Sequence, residues 1–500
     1  MKHVLAIDQG TTGTTCLVVS ADGRVVGRGY QEITQHFPEP GWVEHDPDEI
    51  LARTWQAARA AITSAGVTPD AIGITNQRET VVLWERATGR PVHRAIVWQD
   101  RRTAARCAEL TPVAADITAR TGLVVDAYFS ATKLEWLLRD DALRRRAERG
   151  ELAAGTIDSW LVWHLTGGVV HATDPTNASR TLLYDIGEQA WSPALLERFG
   201  VPAAVLPEVR RSSGSFGTTR RELFGAEIPI AGVAGDQQAA LFGQGCWGPG
   251  QAKNTYGTGA FLLLNTGARR PEPGGGLLTT VACDASGGPA YALEAAIFIA
   301  GAAVQWLRDG LGVVDRAADT EAIARGTKST DGVYFVPALT GLGAPNWEPE
   351  ARGTIVGLTR GTTRAHLVRA ALEAMAYGTY DVMHVMRERQ EAASGGASNA
   401  GAFERLRVDG GATENGWLMQ FQADVLGVPV ERPDIIETTA LGAAGLAGIA
   451  TGVWPSAEAF IAARRFTRFM PAEGACDAQA GIAGWHRAVH AALAWARYQP

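Results

Sequence analysis

The sequence predicts an α/β protein built from two large domains. Apolar runs typical of strands, such as HVLAI at 3–7 and AIGIT at 71–75, alternate with helical stretches such as DPDEILARTWQAARAAI at 46–62. The chain has 500 residues, whereas single hydrophobic cores stop growing near ~250 to 300 residues. A core in each half of the chain is therefore expected.

The helix at 46–62 begins with a recognisable start signal. Asp46 can cap the helix, Pro47 suits its first turn, and the acidic residues that follow complement the positive end of the helix dipole. The acidic cluster EHDPDE at 44–49 has a second interpretation, a metal site, but capping explains the pattern better.

A weak internal repeat links the two halves. The segment VLAIDQGTTGTTCLVV at 4–19 resembles AKNTYGTGAFLLLN at 252–265, and each predicts a strand, a Gly/Thr turn and a second strand. Because glycine lacks a Cβ, such a turn can bring backbone N–H groups close to an oxyanion, and threonine hydroxyls add donors. Two phosphate-binding turns could thus grip a polyphosphate from both sides of a cleft. The alternative is a pair of ordinary hairpins.

Two further segments predict helices that cross between the domains. Both GDQQAALFGQG at 235–245 and TTALGAAGLAG at 438–448 are rich in alanine and glycine. Glycine lowers helix stability by ~1 kcal/mol relative to alanine, so several in one helix indicate a close crossing. Simple packing of small residues is the alternative.

Between a helix expected at 365–390 and a strand at 404–409, the segment at 391–403 predicts a surface loop.

Composition and charge indicate a globular protein that does not bind nucleic acid non-specifically. With 46% hydrophobic and 20% charged residues, the chain has the composition of an ordinary globular enzyme. Its net charge of −7 argues against a non-specific nucleic-acid binder.

Cysteine usage and the N-terminus suggest a cytoplasmic protein. The five cysteines lack any Cys-x-x-Cys spacing and are odd in number, so we expect reduced, mostly buried thiols. The N-terminus has no apolar signal-peptide region, and no run of roughly eighteen apolar residues occurs, so no stable membrane insertion is expected.

Several common catalytic motifs are missing. There is no G-x-x-x-x-G-K-[ST] phosphate loop, no G-x-S-x-G nucleophile elbow and no His/Cys/Glu cluster with zinc spacing. One G-x-G-x-x-G occurs at 243–248, but it follows a predicted helix rather than a strand, which argues against a dinucleotide site.

Taken together, Asp8, the two Gly/Thr turns, GDQQAALFGQ and VDGGATEN resemble the FGGY carbohydrate kinases of the actin and hexokinase superfamily. The resemblance covers essentially the whole chain, through strings that include PGWVEHDP, GITNQRET, AIVWQDRRT, TDPTNASRTLLYDI, GVYFVPALTGLGAPNW and ERPDIIETTALGAA. It implies two actin-like ATPase (ribonuclease H-like) domains, each a mixed β-sheet flanked by helices, with a cleft between them. Residues 1–244 would carry the acceptor site and the first turn, and residues 245–500 the second turn and the adenine site.

The resemblance also implies an activity, the transfer of a phosphoryl group from MgATP to glycerol, giving sn-glycerol 3-phosphate. It implies ATP and Mg²⁺ as cofactors and a homo-oligomer, a dimer or a tetramer. One alternative is a kinase of another small polyol or ketose on the same scaffold. A second is a non-catalytic, actin-like ATP-binding or assembly protein, which would not need the acceptor-site residues present here.

Roles for individual residues follow from the same resemblance. Asp236 matches the general base, and Asp8 matches the aspartate that holds Mg²⁺ through water. An alternative for Asp236 is an N-cap carboxylate. The positions that match substrate-binding residues are Arg78, Glu79, Trp98, Tyr128, Asp236, Gln237 and Phe261. The positions that match nucleotide-binding residues are Thr11, Thr12, Gly257, Thr258, Gly259, Gly301, Gln305, Gly411 and Asn415.

Arg78 and Glu79 are the most discriminating pair, because a triol needs a donor and an acceptor in a fixed relation. A structural ion pair is the alternative. The sequence departs from the family at Thr15, where related kinases usually place an arginine, which predicts weaker nucleotide binding. It departs again at Glu227, where some bacterial members place an arginine that binds fructose 1,6-bisphosphate, so inhibition by that sugar phosphate is not expected.

Overall fold

The computed structural model describes residues 1–393, 403–473 and 476–498. Most of the predicted loop at 391–403 lies outside the described residues. Below, the first half means residues 1–244 and the second half residues 245–500.

The elements of the first half alternate as predicted. Its strands are β1 (His3–Gln9), β2 (Gly13–Ser20), β3 (Val25–Glu32), β4 (Gln35–His36), β5 (Glu44–His45), β6 (Ala71–Asn76), β7 (Val81–Glu85), β8 (Ala95–Ile96), β9 (Leu152–Thr156), β10 (Ala172–Thr173), β11 (Tyr184–Asp185), β12 (Ala190–Trp191), β13 (Glu208–Val209) and β14 (Ile230–Gly235). Its α-helices are α1 (Pro47–Ala65), α2 (Ala104–Glu109), α3 (Ala114–Thr121), α4 (Ala131–Leu137), α5 (Asp141–Glu148), α6 (Ile157–Leu165), α7 (Pro175–Ala178), α8 (Pro193–Phe199), α9 (Arg221–Phe224) and α10 (Asp236–Gly243).

The second half continues the pattern with longer helices. Its strands are β15 (Ala252–Tyr256), β16 (Ala260–Gly267), β17 (Leu278–Cys283), β18 (Pro289–Ile297), β19 (Tyr334–Val336), β20 (Thr354–Val356), β21 (Leu406–Asp409), β22 (Val430–Pro433) and β23 (Phe466–Phe469). Its α-helices are α11 (Gly301–Asp309), α12 (Asp319–Gly326), α13 (Arg364–Ala393), α14 (Gly416–Leu426), α15 (Thr438–Ala450), α16 (Ala457–Ala462) and α17 (Cys476–Arg497).

Two large mixed sheets share one topology. The first sheet has the order β3–β2–β1–β6–β14, and the second has the order β17–β18–β16–β15–β21–β22–β23. In the first, β1 is antiparallel to β2 and parallel to β6, which is parallel to β14. In the second, β15 is likewise antiparallel to β16 and parallel to β21, which is parallel to β22. The internal repeat read from the sequence is therefore confirmed, and its two hairpins, β1–β2 and β15–β16, occupy equivalent places.

Helices cover both sheets. One large apolar core lies between the first sheet, α1 and α6, and includes Leu5, Ile50 and Trp160. The largest lies between the second sheet, α13, α14 and α17, and includes Leu262 and Met383. The prediction of a core in each half is confirmed.

The two small-residue helices cross as predicted. α10 leaves the first sheet and contacts β15–β17 of the second, whereas α15, which follows β22 of the second, packs on β6 and β14 of the first. A Cβ on Gly442 of α15 would overlap the carbonyl group of Ala239 in α10, and a Cβ on Gly243 would overlap the carbonyl oxygen of Thr438. The backbones thus touch at positions where only glycine fits.

The helix cap at Asp46 and the cysteines have the predicted environments. Asp46 caps α1 by accepting from the backbone N–H groups of Asp48 and Glu49, as predicted. In the described part of the chain, no group of three or more His, Cys, Asp or Glu residues could hold a metal ion. The cysteines with described side chains, Cys16, Cys107, Cys246 and Cys283, are buried and unpaired. Within the described residues, no helix combines the length and apolar character needed to cross a membrane.

Candidate active site

Three parallel strands end at one edge of the first sheet. Asp8 lies near the end of β1, opposite Thr75 of β6, and Gly235 at the end of β14 lies opposite Asn76. Arg78 follows β6, and Asp236 follows β14 as the first residue of α10. The carboxyl ends of parallel strands form a crevice that suits ligands, and the topology gathers Asp8, Arg78 and Asp236 at this edge.

Asp236 is an accessible carboxylate of this cluster. Its side chain is 33% exposed, and its Oδ1 lies 3.1 Å from Nε of Arg78 and accepts from the backbone N–H of Gln237 at 2.7 Å. The N-cap of α10 is Gly235, so the alternative of Asp236 as an N-cap carboxylate is wrong. Asp236 instead occupies the first helical position, where a negative charge faces the positive end of the helix dipole.

The Arg78–Glu79 pair belongs to a larger buried network. Both side chains are 2% exposed, and Nε of Arg78 lies 3.8 Å from Oε1 of Glu79. Glu294 of β18 accepts from both Nη atoms of Arg78 at 2.7 and 2.9 Å. Arg180 donates from Nε to Glu79 at 2.7 Å and from Nη2 to Glu294 at 3.1 Å. The two arginines and the two glutamates thus neutralise one another out of contact with water. Glu294 is the member that comes from the second half.

These contacts decide how much of Arg78 can reach a substrate. A guanidinium carries five N–H groups. Three of those of Arg78 donate hydrogen bonds, two to Glu294 and one to Gln238 at 3.2 Å, and Nε lies 3.1 Å from Oδ1 of Asp236. Among the described residues, one Nη2 N–H has no partner, so Arg78 can donate a hydrogen bond from it to a ligand while it stays paired with Glu294.

The charges of the network shift one another's pKa values. Burial alone would raise the pKa of Glu294, but Arg180 and Arg78 outweigh it and lower that pKa to about 2. Burial raises the pKa of Glu79, and the two arginines oppose this shift. Burial lowers the pKa of Arg78, but Glu294, Glu79 and Asp236 raise it well above its usual value. Glu294 and Arg78 are therefore held charged.

Sequence reasoning did not single out Arg180 or Glu294. Arg180 lies within the string TDPTNASRTLLYDI that supported the family resemblance, yet its role could not be read from that string. A signal for Glu294 did exist, because it is the one charged residue in the otherwise apolar strand YALEAAI. A charge is rarely buried in a strand without a partner, so a partner from elsewhere in the chain could have been expected.

The backbone at Glu79 is strained. Its φ is 63°, in the left-handed region that residues other than glycine rarely adopt. The carbonyl group of Glu79 accepts from Oγ of Ser130 at 3.0 Å, and the N–H of Thr80 donates to the carbonyl of Arg78 at 2.7 Å. Such strain persists where surrounding contacts impose it and is concentrated at functional sites.

Two of the three predicted aromatic residues form a pair. The rings of Trp98 and Tyr128 meet edge to face, with centroids 5.3 Å apart. Nε1 of Trp98 donates to Oγ1 of Thr11 at 2.9 Å, which ties the acceptor side of the cluster to the first hairpin. Lys133 donates to the carbonyl groups of residues 127–129 and so holds the segment that carries Tyr128. Phe261 lies on β16 in the second sheet, half-buried.

The two hairpin turns are tight and accessible. In the first, the N–H of Gly10 donates to the carbonyl of Gly13 at 2.8 Å, and Thr12 at the tip is exposed. In the second, the N–H of Gly257 donates to the carbonyl of Gly259 at 2.8 Å, and Thr258 is exposed. Backbone and hydroxyl donors at both tips are thus open to a ligand.

Other predicted nucleotide residues surround the second hairpin to different degrees. Gly301, the first residue of α11, donates its N–H to the carbonyl of Gly257 at 3.0 Å, and Gln305 lies exposed one turn along. Gly411 is exposed and follows Gly410, where a Cβ would overlap Tyr256 at the end of β15. The Asn415 side chain caps α14, because its Oδ1 accepts from the N–H of Leu418 at 2.9 Å.

Asp8 has the properties of a cation ligand. Within the described residues, its carboxylate has no hydrogen-bond or ion-pair partner. Burial, and then the nearby charge of Asp236, raises its pKa to about 7. A divalent cation would stabilise the ionised form of such a carboxylate, and Mg²⁺ needs few protein ligands because it keeps several waters. The residue therefore fits a magnesium ion.

Comparisons with known proteins agree with this architecture. The model of the FGGY family of carbohydrate kinases, N-terminal domain, matches residues 3–243, and that of the C-terminal domain matches residues 252–451. A glycerol kinase from Aromatoleum aromaticum is 55% identical over 502 residues, with 99% of each chain covered. Glycerol kinase 2 from Thermotoga maritima is 52% identical over the same length and coverage.

Solved structures extend the likeness to the fold. The crystal structure of Plasmodium falciparum glycerol kinase with ADP has a TM-score of 0.91 and 36% identity, covering 99% of this chain and 98% of that one. A ligand-bound xylulose kinase from Lactobacillus acidophilus, 20% identical, has a TM-score of 0.86 with 99% of both chains covered. The two-sheet fold and the matches along the full length lead to one conclusion: the chain belongs to the FGGY family of carbohydrate kinases.

Proposed function

We propose that this chain transfers the γ-phosphoryl group of ATP to a terminal hydroxyl of glycerol, giving sn-glycerol 3-phosphate and ADP. The observation that carries the proposal is the arrangement at the strand ends, where the accessible Asp236 lies beside Arg78. Relatives above 50% identity along the full chain are glycerol kinases, which favours glycerol over another polyol or a ketose. The related Plasmodium structure contains ADP, which supports the use of a nucleotide.

In the proposed reaction, Asp236 is the general base. The attacking hydroxyl oxygen forms a bond to the γ-phosphorus while the bond to the leaving ADP oxygen breaks, and the hydroxyl proton passes to the Asp236 carboxylate. Arg78 and Glu79 would bind hydroxyl groups of glycerol through the Nη2 N–H of Arg78 that has no partner among the described residues, and through the second oxygen of Glu79. Trp98, Tyr128 and Phe261 would face the carbon chain and exclude water.

The nucleotide would lie between the two hairpins. Thr11 and Thr12 on one side, and residues 257–259 on the other, would donate hydrogen bonds to its phosphates. Gly301, Gln305, Gly411 and Asn415 would line the rest of the nucleotide pocket. Mg²⁺ held at Asp8 would neutralise charge on the phosphates when bound.

We further propose that residues 1–244 and 245–500 act as two domains, with the crossing of α10 and α15 as their junction. The division is not strict at the site, because Glu294 of the second half completes the buried network of the first. The homo-oligomer, a dimer or a tetramer, stays a prediction, and light scattering of the purified protein would determine its size. The cytoplasmic location also stays a prediction.

The function is tested by measuring ADP release with ATP, Mg²⁺ and a panel of acceptors. We expect glycerol to give the highest kcat/KM among glycerol, dihydroxyacetone, erythritol and xylulose, and excess chelator to abolish turnover. A higher kcat/KM with another acceptor would favour the alternative kinase. Nucleotide binding without turnover on any acceptor would favour a non-catalytic protein.

A further inference from the structure

A lysine that no role above uses lies buried between the two halves. Lys253, on β15, is fully buried. Its Nζ donates to Oε1 of Gln237 at 2.5 Å, to Oγ1 of Thr255 at 2.8 Å and to the carbonyl of Phe261 at 3.3 Å. An ammonium group has three N–H donors, so each of them has a partner.

Burying this charge is unfavourable. Within the described residues, no carboxylate lies within ion-pair distance of Lys253. Burial lowers its pKa to about 8, although Asp409, Asp236 and Glu294 lie near enough to oppose that shift and Arg78 adds to it. A neutral or apolar side chain would avoid the desolvation, so the ammonium group needs a reason to be there.

The contact with Gln237 supplies that reason. An ammonium group can only donate, so the amide atom that faces it must be the oxygen. The orientation of the amide is thereby determined by chemistry, and Nε2 points away from Lys253. Within the described residues, Nε2 has no hydrogen-bond partner, and it belongs to the residue directly after the accessible Asp236. A free donor and a free acceptor thus stand side by side at the start of α10.

We infer that Lys253 is a positioning residue for the acceptor site, which holds the Gln237 amide in the one orientation that offers Nε2 to a glycerol hydroxyl. The inference rests on the proposed function. An alcohol both donates and accepts, so neighbouring hydroxyls can donate to Asp236 and accept from Gln237. Without Lys253, the amide could turn its oxygen towards Asp236, and two acceptors would then face the substrate.

Lys253→Met tests the inference, because methionine keeps the length of the side chain and removes the charge. We expect the KM for glycerol to rise about tenfold or more while the KM for ATP changes less than twofold. Calorimetric titration with glycerol in the absence of nucleotide should show a matching loss of affinity for glycerol. Gln237→Glu keeps a partner for Lys253 but removes the N–H donor, and it should weaken glycerol binding to a similar extent.

Two comparisons separate positioning from general damage. Gln237→Met removes the N–H donor without adding a charge, and its loss should not add to that of Lys253→Met in the double variant, because both changes remove one interaction. Propane-1,2-diol and propane-1,3-diol each lack one hydroxyl of glycerol. One of them should lack the hydroxyl that accepts from Nε2, and for that diol the wild type and Lys253→Met should have similar KM values.

The outcomes that overturn the inference are distinct from failure of the proposed function. An unchanged KM for glycerol in Lys253→Met, additive losses in the double variant, or an equal rise in the KM for ATP would each overturn it. If Lys253→Met does not fold, an unchanged KM for glycerol in Gln237→Glu would overturn the inference. If the wild type neither binds nor phosphorylates glycerol, the proposed function itself fails.

Discussion

At the scale of single residues, exposure separates carboxylates that are otherwise alike. Glu79 and Glu294 are 2% and 3% exposed and are occupied by arginines, whereas Asp236 is 33% exposed and retains one carboxylate oxygen with no ion-pair or hydrogen-bond contact among the described residues. A general base must reach the proton that it removes, so Asp236 is the carboxylate suited to that role.

Asp236→Asn removes the basic oxygen with little change in shape. We expect kcat to fall by ~10² or more while ATP still binds, given typical contributions of a general base. Turnover would be measured by ADP release and binding by calorimetry. Asp140→Asn is a matched control, because Asp140 is an exposed carboxylate that caps α5 and asparagine caps a helix equally well. Near-normal turnover of Asp236→Asn would contradict the assignment.

Thr15 lies directly opposite Asp8 in the first hairpin. An arginine at this position would place a cation on the face of the sheet that carries Asp8, close to the expected phosphates. We predict that Thr15→Arg lowers the KM for ATP. Thr15→Gln adds length without charge and should leave the KM for ATP near the wild-type value. A KM for ATP that is unchanged or higher in Thr15→Arg would count against a phosphate-binding role for this position.

At the scale of elements, the close crossing of α10 and α15 explains their composition. Each helix packs on the sheet of the opposite half, so the two helices must pass over each other with their backbones in contact. Helix propensity alone would favour alanine at every one of these glycines. Tertiary packing overrides that preference here.

Gly442→Ala should therefore destabilise the protein. The added Cβ would overlap Ala239, and overpacking of this kind costs ~1–3 kcal/mol or more in the free energy of unfolding. Gly326→Ala is the matched control: Gly326 ends α12 and nothing lies within 4 Å of its Cβ position. There the change should be neutral or stabilising by up to ~1 kcal/mol. Equal stability of the two variants in denaturant unfolding would show that the crossing tolerates a methyl group.

At the scale of the whole molecule, buried charges couple the two halves. Glu294 pairs with Arg78 and Arg180, which lie 216 and 114 positions away in the sequence. All three side chains are almost fully buried, so the pairs are poorly screened by salt. The relative placement of the sheets therefore sets the charge balance of the acceptor site.

Glu294→Ala would leave two arginines without their shared carboxylate. We expect a loss of ~3–5 kcal/mol in the free energy of unfolding, because an uncompensated buried charge is costly, and a higher KM for glycerol. Glu431→Ala is the control: Glu431 is equally buried and pairs with Arg405, Arg407 and Arg468, all in the second half. It should lower stability but leave the KM for glycerol unchanged. An unchanged KM in Glu294→Ala would confine Glu294 to a structural role.

Local features of this protein were readable from the sequence by itself. The two Gly/Thr hairpins, the Asp46 cap and the small-residue helices follow from backbone geometry and from bonds between residues close in the chain. The family strings also pointed to Asp236, Arg78 and Glu79 as candidates, and all three lie at the same strand ends.

Only the tertiary structure decided which charges meet. Arg180, Glu294 and Lys253 join the acceptor site from three separate segments, and no local pattern names their partners. The physical reason is that a turn or a cap is determined by a few neighbouring dihedral angles, whereas a buried ion pair depends on how two sheets face each other across the cleft.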